Sequence, residues 1–272
     1  MTGAGDASYV IQTGAAARDR LELIARLFWP TTDAFLAQAR ACDATRFVDI
    51  GCGIGDVASR VAERGVPDVT GLDVNDEVVA AAAERSAQRG SPAVFRSGAL
   101  GDLGVDPELC DFDAVYARCV LSHQSDPAKG LAAMMAAARP GGTILVEDVE
   151  VAATWSSPPS AAVARYVDLY VGAALGLGAR PDIGCELAVL LRDLGAVDIS
   201  VDIVQPVFCE PADLQILGRT MEAIAAPVIE QGLATDAEVA EIVADLDRFA
   251  MTPGVYATLP RIIQVSARAP RT

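Results

Sequence analysis

The sequence predicts an α/β chain built on a largely parallel sheet, and three observations carry that expectation. Between residues 46 and 149, short apolar runs are interleaved with helical stretches, the pattern of strands joined by right-handed crossovers. The first run ends on glycines at 51, 53 and 55, which punctuate a strand-to-helix turn. Of the 272 residues 52% are hydrophobic and 21% charged, which supplies a large core and excludes a disordered chain.

The elements follow in order. Leu21, Ile24, Leu27 and Phe28 recur at helical spacing, and Trp29-Pro30 is expected to end that helix. A second short helix is expected from Asp33 to Ala41. A strand over 46–50 leads through the glycines into a helix over 55–64. A strand over 69–73 precedes an Ala-rich helix over 76–89, with Gly90 as its stop. Strands are expected over 93–96 and 112–117. Asp126-Pro127 reads as an N-cap followed by proline at the first helical position, and that helix runs to about 138. Arg139-Pro140-Gly141-Gly142 should turn the chain into a strand over 143–149. Further on come a helix over 160–176 and another bearing Leu187, Leu190, Leu191 and Leu194, which stops at Gly195. Strands over 197–204 and 261–267 enclose a mostly helical stretch, within which Thr235-Asp236-Ala237-Glu238 forms a capping box. The expected organisation is one domain. Residues 1–42 form a helical cap and 43–151 a ligand-binding core, with lid insertions over 152–182 and 207–256.

Composition narrows the partners. With 37 acidic against 21 basic residues, the net charge is −16. Such a chain repels phosphate backbones and anionic lipid, so nucleic acid and membrane are not expected partners. The six cysteines form no CxxC pair and there is one histidine, so no metal site is expected. The Gly-rich start lacks a basic patch and an apolar core, and no apolar run reaches membrane-spanning length. The expected location is cytoplasmic, with reduced thiols.

The strongest motif is Val48-Asp49-Ile50-Gly51-Cys52-Gly53-Ile54-Gly55-Asp56, with Asp73 closing the next strand 22 residues beyond Gly51. Glycines there allow a sharp turn and close approach of a ligand, and an acid at the second strand's end can take both ribose hydroxyls of a nucleoside. A dinucleotide fingerprint would place its third glycine where Asp56 stands, and an aspartate facing a pyrophosphate would repel it. A ligand without phosphates, such as S-adenosylmethionine (SAM), tolerates it. The alternative is a tight turn with no ligand.

These segments, together with FDAVYARCVLSHQSDP and RPGGTILVED, resemble class I SAM-dependent methyltransferases. Flanking stretches, from YVIQTGAAARDRLELIARLFWPTT to PRIIQVSAR, resemble a group of bacterial small-molecule methyltransferases, many of them in natural-product pathways. The resemblance implies a Rossmann-like, seven-stranded sheet in the order 3-2-1-4-5-7-6 with strand 7 antiparallel. It also implies SAM over the carboxyl ends of strands 1, 2 and 4, and S-adenosylhomocysteine as product. Gly51, Gly53 and Gly55 would line the methionine and ribose. Asp73 would hold the ribose, and Val74 would lie beside the adenine. Gly98, Ala99 and Leu100 replace the family's usual Gly-Asp-Ala, so Asp102 is a substitute candidate for the adenine contact. Ala117 and Arg118 would border the methionine end. Tyr9 and Arg20 are candidates to close over its carboxylate, Arg20 being alternatively an ordinary surface arginine.

Methyl transfer needs a nucleophile held in line and water kept out, with a base where the nucleophile carries a proton. His123, the single histidine, follows the fourth core strand and has an ordinary pKa suited to that task. It is alternatively pocket-lining or loop-supporting. Glu147 and Asp148 end the fifth strand, and alternation sends them to opposite faces. One should look toward the acceptor, unless both cap neighbouring structure. Tyr166, Tyr170, Phe208 and Met221 are candidates to line an apolar acceptor pocket. The expected activity is methylation of an O, N or C atom of a small hydrophobic or aromatic molecule, a secondary metabolite. The rival readings are a cyclase on the same fold and a SAM-binding protein without catalysis. A homodimer is compatible with the sequence.

Overall fold

The computed structural model describes residues 15–271. Helix α1 (Ala15–Gln38) runs through Pro30 without the break expected there. Pro30 lies on the exposed side, and the Thr31 hydroxyl donates to Phe28 O at 3.0 Å. Packing overrides the proline's penalty. Leu23, Leu27 and Phe28 belong to one apolar cluster and Phe35 and Leu36 to another, so a break would disturb two buried faces.

The core follows as β1 (Arg46–Ile50), α2 (Asp56–Glu63), β2 (Asp68–Asp73), α3 (Asp76–Gln88), β3 (Val94–Ser97), β4 (Phe112–Arg118), α4 (Pro127–Ala137) and β5 (Ala138–Glu150). Local chemistry sets the helix starts. The Asn75 side chain accepts from Glu77 N and Val78 N, and Asp126 accepts from Lys129 N. Strand β5 begins earlier than expected. It pairs Ala138 with Phe112 and then resumes at Thr143 opposite Ala114, so the Pro-Gly-Gly turn survives as an irregularity within the strand.

The remaining elements are β6 (Ser156–Ser157), α5 (Ala161–Gly176), α6 (Leu187–Asp193), β7 (Val197–Val204), β8 (Val207–Phe208), α7 (Pro211–Leu214), α8 (Ile216–Ala223), α9 (Ala225–Glu230), α10 (Asp236–Ala250), β9 (Tyr256–Thr258) and β10 (Arg261–Arg268). The seven-stranded sheet has the order β3-β2-β1-β4-β5-β10-β7. That is the expected order, since β7 and β10 are the sixth and seventh long strands, and β10 is antiparallel to both neighbours.

A second sheet, β6-β9-β8, was not foreseen. It ties three distant segments at the base of the helical insertions. Gln205 reinforces it by donating from Nε2 to Ala153 O (2.7 Å) and Thr258 Oγ1 (3.2 Å).

Among the described residues three apolar clusters form the interior. One packs α4 and α6 on one face of the sheet, and another packs α2 and the second half of α1 on the opposite face. The third joins the first half of α1 to α5, α8 and α10 and rests on Val149 and Ile262 at the strand ends. Among the described residues no helix is long and apolar enough to cross a membrane.

Candidate functional site

The chain leaves β1 through Gly51, Gly53 and Gly55, whose φ values of +63°, +53° and +74° suit glycine. Their reasons for being glycine differ. A Cβ on Gly51 would stand 2.4 Å from Val120 Cγ2, and one on Gly55 2.5 Å from Phe95 Cε1, whereas one on Gly53 would meet nothing within 4 Å. Packing of the protein itself accounts for the first and third. Gly53 presents bare backbone at the carboxyl ends of the strands.

Asp73 stands beside it at the end of β2. Its Oδ2 accepts from Gly53 N at 3.0 Å and its Oδ1 from Asn75 N at 3.1 Å. Val74 follows at 74% exposure. Gly98 donates to Asp73 O at 2.9 Å, which brings Gly98, Ala99 and Leu100 to the same edge. Asp102 closes its own turn, accepting from Ala99 N at 2.7 Å. Asp56 does not face the loop interior. Its carboxylate is 4% exposed and pairs with Arg60 (2.9 Å) and Arg89 (3.1 Å) between α2 and α3, so it would not confront a pyrophosphate in the loop, contrary to the expectation from its position.

At the end of β4 Ala117 is buried. Arg118 turns back on α1, donating to Thr32 Oγ1 at 3.0 Å and lying over the Phe28 ring at 5.6 Å. Cys119 then adopts φ +54°, a left-handed backbone uncommon outside glycine.

Both acids of β5 are 0% exposed, and their partners lie inside the protein. Glu147 accepts from the Tyr116 hydroxyl at 2.6 Å and from Gln264 Nε2 at 2.7 Å. Asp148 accepts from Leu121 N (2.8 Å), Ser122 N (3.1 Å) and Val149 N (2.9 Å). Alternation separates the two as expected, but both faces are closed. Neither acid is presented to an acceptor, which corrects the expectation that one would be. Asp148 instead holds the turn Leu121–His123. Burial, with the nearby Arg20 cation, pushes the His123 imidazole down to about 4, so it is neutral at physiological pH and a weaker base than its ordinary value implies.

Arg20 is no surface arginine. It is 6% exposed and donates from Nε to Thr220 Oγ1 of α8 at 3.1 Å. Its positive field reaches Cys119, His123 and Tyr166. Tyr166 and Tyr170 of α5 meet edge to face, with centroids 6.4 Å apart at 78°. Met221 is fully buried and Phe208 partly so in the same apolar cluster. Tyr9 lies outside the described residues.

Sequence reading missed two participants. Thr220 gave no local signal, because its partner is 200 positions away. Asp49 did give one, an acid inside an apolar strand. It accepts from Ala58 N at 3.1 Å. Burial pushes its carboxyl up to about 7, against the pull of Arg118 and the Ala58 N–H.

The sheet order and glycine turn define the class I methyltransferase fold. Residues 42–168 match the family described as a methyltransferase domain. The ubiquinone biosynthesis O-methyltransferase of Methylococcus capsulatus is 33% identical over 97 residues, which is 36% of this chain and 40% of that protein. The Hahella chejuensis protein of the same name is 28% identical over 42% of this chain and 48% of its own. The chain thus spans less than half the length of these relatives. Magnesium protoporphyrin IX methyltransferase from Synechocystis PCC 6803, solved with S-adenosylhomocysteine bound, superposes with TM-score 0.52 at 15% identity over 98% of this chain and 90% of that one. A likeness at that identity speaks for the fold alone.

Proposed function

We propose that this chain is a SAM-dependent methyltransferase acting on a hydroxyl of a small hydrophobic or aromatic molecule. The observation that carries the reading is the bare backbone at Gly53 beside the Asp73 carboxylate, at the carboxyl ends of β1 and β2. A nucleoside with no phosphate fits these groups. Asp73 can release Gly53 N and Asn75 N to accept from two ribose hydroxyls. Val74, Gly98, Ala99 and Leu100 offer an uncharged edge for the base, and Gly51, Gly55 and Ala117 complete the wall. The similarity to ubiquinone biosynthesis O-methyltransferases supports oxygen as the methylated atom. The likeness of the flanking segments to natural-product methyltransferases supports a secondary metabolite as acceptor.

When bound, SAM supplies an electrophilic methyl group on a sulfonium. The chain's own contribution is position and proton transfer. Residues 152–182 and 207–256 form the lid, in which Tyr166, Tyr170, Phe208 and Met221 give the acceptor an apolar wall and keep water out. His123, neutral at working pH, takes the hydroxyl proton. Asp148 fixes the turn that carries it, and Glu147 holds β4, β5 and β10 together from within.

The test is turnover with SAM and a set of substituted phenols, following S-adenosylhomocysteine and the methyl ether together by mass spectrometry. Equal yields of the two are expected. A rearranged acceptor formed without S-adenosylhomocysteine would refute methyl transfer and favour a cyclase.

A further inference from the structure

Strand β7 closes one side of the seven-stranded sheet, with β10 as its neighbour. Among the described residues its outer row of N–H and C=O groups therefore has no strand partner. Such an edge is a template for another strand unless shortness, lysine, proline or a bulge blunts it. β7 runs from Val197 to Val204 and contains neither lysine nor proline. Asp198, at φ +51° beside a register shift in the ladder to β10, confines the irregularity to the strand's first residues. Alternation divides the strand into two faces. Ile199 packs with α4 and α6. Asp202 lies on the opposite face and accepts from Gln38 Nε2 of α1 at 3.1 Å. Val201 and Ile203 share the Ile199 face, yet they are 47% and 63% exposed.

We propose that β7 is the contact of a two-fold dimer, pairing antiparallel with β7 of a second copy so that Val201 lies on the axis. An axis perpendicular to the sheet keeps the α6 faces of both copies on one side and makes the contact self-complementary. Charge and alternation select the register. Centring on Ser200 sets Asp198 against Asp202, and centring on Asp202 sets that carboxylate against itself, and like charges directly opposite destabilise a pair. Centring on Ile199 leaves Ile203 opposite Gly195, outside the strand. Centring on Val201 avoids all of these conflicts. Val201 then meets Val201, Ile199 meets Ile203, and the exposed apolar side chains are covered. The Ser200 hydroxyl comes opposite the Asp202 carboxylate of the second copy and can donate to it. The net charge of −16 on each copy opposes association, so the contact strengthens as salt screens that repulsion.

Sedimentation equilibrium of the full chain over roughly 1–200 µM, the span of a small, transient interface, tests the proposal. A monomer–dimer equilibrium is expected, tighter at an ionic strength of about 0.5 M than at about 0.05 M. Val201→Lys and Val201→Asp, at a half-exposed position that tolerates either, should each weaken the dimer roughly tenfold or more, because the new charge faces its own copy. Mixed in equal amounts, the two variants should associate with each other, since the axis then sets opposite charges together. A monomer at every concentration and ionic strength would overturn the proposal. So would a native dimer that neither substitution weakens, which would place the contact on another surface. Variants that stay apart on mixing would refute the pairing of Val201 with itself.

Discussion

The three loop glycines separate a ligand's requirement from the protein's own. Gly53→Ala adds one methyl group where no atom lies within 4 Å. The folding cost is then that of an ordinary residue at φ +53°, roughly 1–2 kcal/mol. For a chain of this size that lowers the melting temperature by roughly 2–4 °C per kcal/mol. Gly55→Ala bears a similar backbone cost at φ +74°, and its Cβ lands 2.5 Å from the Phe95 ring, adding ~1–3 kcal/mol of overpacking. The Gly53 variant should therefore be the more stable of the two and the weaker binder. A methyl group in the cofactor's space should cost SAM ~1–3 kcal/mol, about 10–100-fold in affinity. Scanning calorimetry of both variants, with SAM titrations at a temperature where both are folded, reads both quantities. Wild-type affinity in Gly53→Ala would show that the loop does not face the ligand. Equal melting temperatures would show that the Phe95 contact does not restrict position 55.

Three further outcomes are expected. His123→Ala should lower kcat ~10²–10⁴-fold with little change in SAM affinity; in the native enzyme the acid limb of the pH–rate profile should fall near 4, and a limb between 5 and 8 or a normal kcat in the variant would remove His123 from proton transfer. The Asp49 carboxyl keeps its proton up to about 7 in the folded protein but releases it near 4 when unfolded, so its contribution to stability is complete below pH ~4 and is lost as pH rises to about 7. Urea midpoints should show that decline, and Asp49→Asn should flatten it; an unchanged slope would refute the assignment. Glu147→Gln should destabilise by about 1–3 kcal/mol, because one of the Tyr116 and Gln264 donors loses its acceptor, and an unchanged denaturation midpoint would contradict that.

What could be read from the sequence was local or strictly periodic. The strand, glycine turn and Asp73 sit at fixed register, and each constrains the backbone within a few residues, so the β1–β2 region was legible in detail. Helix α1 was not, because a proline's local cost says nothing of the two cores that the helix joins through Phe28 and Phe35. The strands β6, β8 and β9 span two or three residues each and pair across distant segments, too short to leave a pattern. Alternation placed Glu147 and Asp148 on opposite faces, but it could not show that Gln264, 117 positions away, closes one of them. The burial of Arg20 likewise depends on tertiary packing against α8, and helical spacing left a ligand-facing and a surface position both open to it.

Titration calorimetry of the purified chain with SAM, beside Asp73→Ala, tests the central claim most directly. The native chain should bind one SAM per molecule. The variant should bind roughly 1.5–3 kcal/mol more weakly, as expected when a charged acceptor of hydrogen bonds is removed, while it stays folded at the assay temperature with a melting temperature lowered by the loss of the bonds from Gly53 N and Asn75 N. No binding by the native chain, or equal affinity in the variant, would contradict the assignment of this loop and this carboxylate to the cofactor.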